Sequence, residues 1–253
     1  MTELAGKVAI VTGGAQGLGR GMVECFVEEG ARVVIADVNT EEGAALANAL
    51  GCAFSPTDVA EAGQIQAAVD LAIERYGDLH IMVNNAGLGG SPTRFVDDDF
   101  ADFERTMAVN VLGVLLGCQR AARHMKAHGG GTILNITSIG GINAGGGVMA
   151  YRASKAAVIH ITRSLAVELA RYAIRVNCIA PAHIPTAMNA AFDQSKIIAA
   201  MQPLQRQGTP RDVAEAALFL AGDRAAQITG IVLPVDGGTT AGPAPRPMKD
   251  LRS

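Results

Sequence analysis

The chain has 253 residues, of which 49% are hydrophobic and 18% charged, and its formal net charge is −3. This length and apolar content suffice for a folded core without disulfide or metal cross-links, and they exclude an intrinsically disordered chain. The slight acidity argues against nucleic acid as a partner, because no basic excess is present to neutralise phosphates. The 30 glycines favour closely packed backbone, as in a parallel sheet covered by helices.

The sequence predicts neither a membrane span nor an export signal. The longest uncharged stretch, residues 127–151, is interrupted by many glycines, and the N-terminus lacks a basic segment followed by an apolar run. The cysteines are widely spaced within apolar patterns, which predicts reduced core thiols in a cytoplasmic protein; they are Cys25, Cys52, Cys118 and Cys178.

Strands and helices alternate along the chain. Near-continuous apolar runs predict buried strands at Lys7–Thr12, Arg32–Asp37, His80–Asn84, Thr132–Thr137 and Arg175–Ile179, with weaker candidates at Cys52–Ser55 and Ile231–Val235. Helical spacing predicts a helix through Leu18, Met22 and Phe26 that Gly30 stops, and others over Ile65–Ile73, Phe100–Lys126, Tyr151–Arg171 and Asp212–Ala221.

This alternation predicts an α/β fold: a Rossmann-type, doubly wound parallel sheet of about seven strands with helices on both faces. The whole chain is expected to form one domain, and the prolines after Ala241 predict a loose C-terminal tail over residues 241–253.

Two polar patterns are explained by helix structure rather than by metal binding. The acidic triplet Asp97–Asp99 is expected to cap the helix that follows it and to offset its dipole. His124 and His128 share a helix face, but no third ligand accompanies them. No metal site is therefore expected.

A glycine-rich turn follows the first predicted strand. The residues Gly13-Gly14-Ala15-Gln16-Gly17-Leu18-Gly19 let backbone N–H groups approach a pyrophosphate at the start of a helix. The spacing is GxxxGxG rather than the commoner GxGxxG. Asp37, at the end of the second strand, stands where a carboxylate binds the adenosine ribose and repels a 2′-phosphate, which favours NAD over NADP. The alternative is that Asp37 only caps the next helix, and Arg20 or Arg32 could still accommodate a phosphate.

Tyr151 and Lys155 are one helical turn apart and so share a face. A free phenol has a pKa of about 10, and a neighbouring ammonium, together with the positive charge of an oxidised nicotinamide, is expected to lower it. Such a tyrosine is a candidate general acid and base.

The glycine turn, Asn84-Asn85-Ala86-Gly87, Asn110, Ser138 and the Tyr151-xxx-Lys155 pair, in this order, resemble the short-chain dehydrogenase/reductase family from about Lys7 to Gly238. The resemblance implies that Tyr151 is the general acid/base and that Lys155 holds the nicotinamide ribose. It further implies that Ser138 positions the substrate oxygen, with Thr137 as the runner-up on the opposite face, and that Asn110 anchors a water connected to Lys155.

The resemblance also implies a set of cofactor contacts. Asp58 and Val59 would bind the adenine, Asn84 would brace the central strands, and Asn85 would border the adenosine ribose. Ile184 and Thr186 would hold the nicotinamide carboxamide and the phosphate. The complete expected cofactor set is Gly13, Gln16, Gly17, Leu18, Gly19, Asp37, Asp58, Val59, Asn85, Ala86, Gly87, Tyr151, Lys155, Ile184 and Thr186. Ala182 departs from the family, which usually has glycine there, so a strained loop is possible at this point.

Residues 186–207 are expected to form an apolar lid opposite Gly145–Val148, which suits a hydrophobic substrate; ordinary helix packing explains the same pattern. His183 either faces the substrate or packs structurally. These features predict an NAD(H)-dependent oxidoreductase that interconverts a secondary alcohol and a ketone. The alternatives are an NADPH-dependent 3-oxoacyl-thioester reductase, a silent nucleotide-binding scaffold and, least compatible with the Tyr151–Lys155 pair, a methyltransferase. The resemblance also implies a homotetramer formed through the helices 100–126 and 151–171.

Overall fold

The computed structural model describes residues 2–185 and 194–243. Within these residues, seven parallel strands form one sheet in the order β3-β2-β1-β4-β5-β6-β7. The strands are β1 (Val8–Thr12), β2 (Arg32–Asp37), β3 (Ala53–Pro56), β4 (Ile81–Asn84), β5 (Gly131–Ile136), β6 (Ile174–Pro181) and β7 (Val232–Val235). The order reverses between β1 and β4, where ligands of doubly wound folds bind.

Helices cover both faces of the sheet. They are α1 (Gly17–Glu28), α2 (Thr40–Leu50), α3 (Ala62–Tyr76), α4 (Phe103–Met107), α5 (Gly113–Ala127), α6 (Met149–Leu169), α7 (Gln194–Met201) and α8 (Pro210–Ala221). On one face the core contains Phe26 of α1 and Leu218 of α8; on the other it contains Val69 of α3, Met125 of α5 and Val158 of α6. The predicted fold class is confirmed.

Helix ends follow local chemistry. Gly30, with a φ of +84°, terminates α1 by donating its N–H to the Val27 carbonyl, as predicted. Helix α8 begins with a capping box in which the side chains of Thr209 and Asp212 each bond the other residue's backbone N–H. No helix in the described ranges is both long and apolar enough to cross a lipid bilayer.

The predicted helix Phe100–Lys126 forms, but it starts later than predicted and contains a π-helical turn. Phe100 has a φ of +55°, so α4 starts only at Phe103, and the π-helical turn at Ala108–Leu112 connects it to α5. The acidic triplet does not cap this helix. Asp97 lies in a short 3₁₀ turn, while Asp98 and Asp99 accept bonds from N–H groups two residues ahead, within the approach to α4.

Several further predictions concern residues outside the described ranges or differ from the structure. Residues 186–193 of the expected lid and residues 244–253 of the expected tail lie outside the described residues, whereas residues 194–201 form α7. Helix α2 was not predicted. Both weaker strand candidates form, as β3 and β7. All four cysteines are buried with free thiols.

Candidate active site

The turn between β1 and α1 requires its glycines. Gly13 and Gly17 have φ values of +61° and +54°, a region that other residues rarely adopt. A Cβ atom on Gly19 would lie 1.9 Å from the Gly13 carbonyl oxygen and 2.7 Å from Nδ2 of Asn85. Because α1 begins at Gly17, the positive end of its dipole lies at this turn. Such a turn can bind a pyrophosphate.

One cleft at the carboxyl ends of the strands brings together most of the predicted cofactor residues. They are Gly13, Gln16, Gly17, Leu18, Asp37, Asp58, Val59, Asn85, Ala86, Gly87, Tyr151 and Lys155. Gly19 packs beneath the turn rather than lining the cleft, and Ile184 lines a second cavity nearby.

Asp37 is held by the turn that it faces. One of its carboxylate oxygens accepts the N–H of Ala15 at 2.9 Å, and the other accepts the N–H of Asn39 at 2.9 Å. Asn39, not Asp37, caps α2, by accepting the N–H of Glu42. The capping alternative for Asp37 is therefore wrong. Each carboxylate oxygen can still accept a second hydrogen bond.

Asp58 lies beyond the end of β3 and pairs with a cation from another element. Its Oδ2 is 2.8 Å from Nη2 of Arg105 on α4, and Oδ1 accepts the N–H of Ala60 at 3.0 Å. Burial by itself would raise the pKa of Asp58, but these two partners outweigh it and hold the pKa below its usual value. Asp58 is thus a fixed carboxylate at this end of the cleft.

The asparagines after β4 join the two halves of the sheet. Asn85 donates through Nδ2 to the carbonyl oxygens of Thr12 at 2.8 Å and Gly13 at 3.0 Å. Asn84 donates to Oδ1 of Asn135 on β5 at 2.8 Å, which agrees with the expected bracing of the central strands. Both contacts fix the glycine turn relative to the middle of the sheet.

Tyr151 and Lys155 lie on the cleft side of α6. Nζ of Lys155 donates to the Ile136 carbonyl at 3.0 Å and lies 5.7 Å from the centre of the Tyr151 ring. Burial lowers the pKa of Lys155 to about 8. The helix therefore presents a phenol and a buried amine to one space.

Burial also raises the pKa of Tyr151 above the ordinary phenol value of 10, although a hydrogen bond with the Ser138 side chain and the charge of Arg152 oppose the rise. The expected lowering of this pKa depends also on the positive charge of an oxidised nicotinamide and stays a prediction; burial by the protein itself acts in the opposite direction. The charge of Lys155 is directed at the Ile136 carbonyl, and desolvation of the phenol is the larger effect.

Ser138 and Thr137 follow β5 and have different partners. The Ser138 side chain accepts the N–H of Gly140 at 3.0 Å and forms a hydrogen bond with Tyr151, so it lies beside the phenol. Thr137 donates its hydroxyl to the Lys155 carbonyl at 2.7 Å. Only Ser138 is thus placed beside the phenol.

Asn110 lies in the π-helical turn and is fully buried. Its Nδ2 donates to the Leu88 carbonyl at 2.9 Å and to Oγ of Ser154 at 3.0 Å, and its Oδ1 accepts the Leu88 N–H at 2.8 Å. A Cβ atom on Gly87 would lie 3.2 Å from Nζ of Lys155 and 3.3 Å from Oδ1 of Asn110, so both atoms approach Gly87 closely. π-Helical turns are frequent at functional sites.

The segment after β6 is only partly described. Ile184 is buried, and Thr186 lies outside the described residues. Ala182 donates its N–H to the Val235 carbonyl at 3.2 Å and does not have a positive φ, so alanine causes no strain there. Nε2 of His183 is buried and has no hydrogen-bond partner among the described residues. Burial lowers the pKa of this imidazole against the opposing charge of Asp236.

Two residues of this region were missed by sequence reasoning. Arg105 lines the cleft and pairs with Asp58, and Arg152 contacts the loop beside Tyr151. Arg105 and Asp58 are 47 positions apart in the sequence, so no local pattern could reveal the pair. Arg152 could have been found from the sequence, because it immediately follows Tyr151 within the Tyr151-xxx-Lys155 pattern.

The fold defines a Rossmann-type α/β protein, and comparisons with known proteins narrow the class. A family model described as enoyl-(acyl carrier protein) reductase matches residues 13–240. Momilactone A synthase of Oryza sativa subsp. japonica is 42% identical over 248 residues, covering 93% of this chain and 90% of that protein. A 3-alpha-(or 20-beta)-hydroxysteroid dehydrogenase of Mycobacterium bovis is 40% identical over 242 residues, covering 95% and 92%.

Among solved structures, a 3-ketoacyl-(acyl-carrier-protein) reductase from Brucella melitensis complexed with NADH superposes with a TM-score of 0.89 at 35% identity, covering 94% of this chain and 99% of that one. The chain belongs to the short-chain dehydrogenase/reductase family, as the motifs predicted. Members of this family are oxidoreductases that use a nicotinamide cofactor.

Proposed function

We propose that this protein is an NAD(H)-dependent oxidoreductase that interconverts a secondary alcohol and a ketone on an apolar substrate. The observation that carries the proposal is one cleft lined by the glycine turn, Asp37, Tyr151 and Lys155. It joins a site for a dinucleotide to a phenol that can exchange a proton.

The residues present fit a dinucleotide. Gly13 and Gly17 line the cleft without side chains, so backbone N–H groups can approach a pyrophosphate, and α1 directs its positive end at the turn. Gly13 and Gly17 would hold the pyrophosphate, Asp37 the adenosine ribose, and Asp58 with Val59 the adenine. Ile184 and Thr186 would hold the nicotinamide end. NAD⁺, when bound, supplies the hydride acceptor.

The chain's own residues would manage the proton. Tyr151 Oη, deprotonated where the positive charges of Lys155 and of an oxidised nicotinamide lower its pKa, would take the hydroxyl proton of the alcohol as the carbon–oxygen bond becomes a carbonyl, and the phenol would return it in the reverse direction. Ser138 holds the same substrate oxygen. Lys155 would bind the nicotinamide ribose, and a water held by Asn110 would carry the proton onward from Lys155.

The choice of NAD rests on Asp37. Its carboxylate is fixed by Ala15 and Asn39 at the edge of the cleft, where its negative charge opposes a 2′-phosphate. An apolar substrate is supported by the relative that is named as acting on hydroxysteroids, since these carry secondary alcohols on an apolar skeleton.

The decisive test is Tyr151→Phe. Purified protein is screened with secondary alcohols and NAD⁺ by nicotinamide absorbance. We expect turnover by the wild type and a loss of at least 10²-fold in Tyr151→Phe, because general acid–base catalysis contributes this much. Tyr172→Phe is the matched control, since Tyr172 packs against Lys126 and Arg171 outside the cleft. Equal rates for wild type and Tyr151→Phe would refute the mechanism.

A second candidate is a 3-oxoacyl-thioester reductase, which similarity to the 3-ketoacyl-(acyl-carrier-protein) reductase favours. A strong preference for NADPH with an acetoacetyl thioester over NADH with a simple ketone would select this candidate. Asp37 disfavours it.

We also propose a homotetramer. Apolar side chains are exposed along the segment from α4 to α5: Phe103 is 44%, Leu112 46% and Leu115 39% exposed. Surfaces of this kind are typical of subunit contacts. Sedimentation at micromolar concentration is expected to give four copies, and a monomer would refute the assembly.

A further inference from the structure

The loop between β5 and α6 is unusually rich in glycine. It comprises residues 139–148, which we term the β5–α6 loop, and half of them are glycines. It begins immediately after Ser138, which bonds with Tyr151, and ends at Val148, three residues before Tyr151. A glycine-rich backbone loses much conformational entropy on ordering, so the loop needs contacts that hold it.

The Arg152 guanidinium provides those contacts. Its Nε donates to the Gly147 carbonyl at 3.3 Å and its Nη1 to the Asn143 carbonyl at 3.2 Å. A Cβ atom on Gly145 would lie only 2.6 Å from Nη2 and 2.8 Å from Cζ of Arg152. The planar fork therefore lies against the backbone of the loop. Among the described residues, no carboxylate forms an ion pair with Arg152.

The end of the loop is held in a costly conformation. Val148 has a φ of +48°, which is unfavourable for a β-branched residue. Its N–H donates to the Ser91 carbonyl at 3.2 Å, and a Cβ on Gly90 would lie 3.2 Å from the Cβ atoms of both Val148 and Tyr151. Such strain persists only where neighbouring contacts fix the backbone. One of these neighbouring contacts is the bond from Arg152 to the Gly147 carbonyl.

We propose that Arg152 is a positioning residue that fixes the β5–α6 loop as a backbone wall of the substrate site and thereby selects the shape of alcohol that reaches Tyr151. The proposal rests on the proposed function. Glycine at 145, 146 and 147 leaves this part of the wall without side chains, so here the position of the backbone sets the shape of the site. Arg152 is the described side chain that bonds two carbonyls of the loop at once.

Arg152 also acts on the phenol through its charge. This charge lowers the pKa of Tyr151 against the larger effect of burial. Two variants separate the effect of the charge from that of the hydrogen bonds to the loop. Arg152→Lys keeps the positive charge but loses the planar guanidinium, whereas Arg152→Met loses both.

The test compares wild type, Arg152→Met, Arg152→Lys and the control Arg163→Met, an exposed arginine farther along α6. Steady-state kinetics use a small secondary alcohol, cyclohexanol, and a bulky one, a hydroxysteroid. For Arg152→Met we expect KM for the bulky alcohol to rise at least tenfold, the preference between the two alcohols to fall at least fivefold, and the Kd of NADH to stay within twofold. The midpoint of the pH profile of kcat/KM moves to higher pH in Arg152→Met but stays in place in Arg152→Lys, whose KM still rises.

Unchanged KM and preference in both Arg152 variants would overturn the proposal. Loss of NADH affinity in parallel with KM would also overturn it, since that result means a general structural defect. If Arg152→Met does not fold, Gly145→Ala serves instead, because the added Cβ displaces the guanidinium while the arginine remains; we expect the same change in KM, and an unaltered KM would overturn the proposal.

Hydrogen exchange of the peptide covering residues 139–148 needs no turnover. We expect at least tenfold faster exchange in Arg152→Met than in wild type, with no change in Arg163→Met, and equal exchange would overturn the proposal. A wild-type protein that oxidises no secondary alcohol would refute the proposed function, whereas an intact wild-type activity with unaffected Arg152 variants refutes only the role of Arg152.

Discussion

The ammonium of Lys155 donates to the Ile136 carbonyl at 3.0 Å, so that a buried amine connects α6 to the end of β5. Burial removes water from the ammonium and so destabilises the charged form of Lys155. This lowers its pKa from 10.5 to about 8. The unfolded chain therefore binds this proton more tightly than the folded one.

This relationship predicts a pH dependence of stability. Below about pH 8 Lys155 is charged in both states and its burial destabilises the fold in full; the penalty disappears as the pH rises from about 8 to 10.5. Compared with Lys155→Met, wild type should gain roughly 3 kcal/mol between pH 7 and 10.5. Urea unfolding of both proteins at each pH measures the difference in their free energies of unfolding. The contributions of the titrating groups that the two proteins share cancel in this difference. A difference that does not vary with pH would contradict the prediction.

Gly19→Ala is expected to damage both stability and cofactor binding. The added Cβ meets the Gly13 carbonyl at 1.9 Å, so the glycine turn must move. We expect a loss of about 3 kcal/mol in the free energy of unfolding and at least tenfold weaker binding of NADH. Urea unfolding and fluorescence titration measure the two effects.

The control for this variant is Gly63→Ala in the first turn of α3, where an added Cβ meets nothing within 4 Å. It should be neutral or stabilise by up to about 1 kcal/mol, because alanine favours helix more than glycine does. Similar losses in both variants would mean that the contact with Gly13 is not the cause.

Asp37→Ser should relax cofactor selectivity. Removing the fixed carboxylate removes a hydrogen-bond acceptor for the ribose and the repulsion of a 2′-phosphate. The ratio of kcat/KM for NADP⁺ over NAD⁺ should rise by at least about tenfold. The matched control is Asp70→Ser on the exposed side of α3, which should leave the ratio unchanged. An unaltered ratio in Asp37→Ser would mean that another group selects the cofactor.

Thr162→Val tests a buried polar chain behind the site. Asn84 donates to Asn135, Asn135 donates to Thr162 at 3.0 Å, and Thr162 donates to the Val158 carbonyl at 2.8 Å. Valine leaves the Asn135 amide without an acceptor, so the free energy of unfolding should fall by about 1–3 kcal/mol. Urea denaturation measures the free energy of unfolding. The control is Ser164→Ala at an exposed position of the same helix, which should change this free energy by less than about 0.5 kcal/mol. A Thr162→Val protein as stable as wild type would show that the chain adds nothing.

The sequence predicted most strands better than helices because the inner strands of the sheet are buried on both faces. Runs such as Val8–Thr12 are apolar at nearly every position, and that signal is independent of distant contacts. Helix α2 buries only Gly43, Leu46 and Ala47. Two of these are small, so no apolar periodicity marks the helix.

The site was predicted where one short segment carries the chemistry, as in the glycine turn and the pair Tyr151–Lys155. Its tertiary features were not predictable in this way. The π-helical turn at Asn110 depends on contacts with Leu88 and Ser154, and the raised pKa of Tyr151 depends on burial by several elements. Local spacing carries no information about either.

The strand order also has a consequence for synthesis. Strands β1, β2, β3 and β4 all precede α4 in the chain, whereas β5 follows α5, so the first half of the sheet is translated well before its next strand. During that interval β4 is an outer strand whose N–H and C=O groups can pair with another nascent polypeptide. The strand that lies in the middle of the finished sheet is thus open to misassembly until β5 has been made.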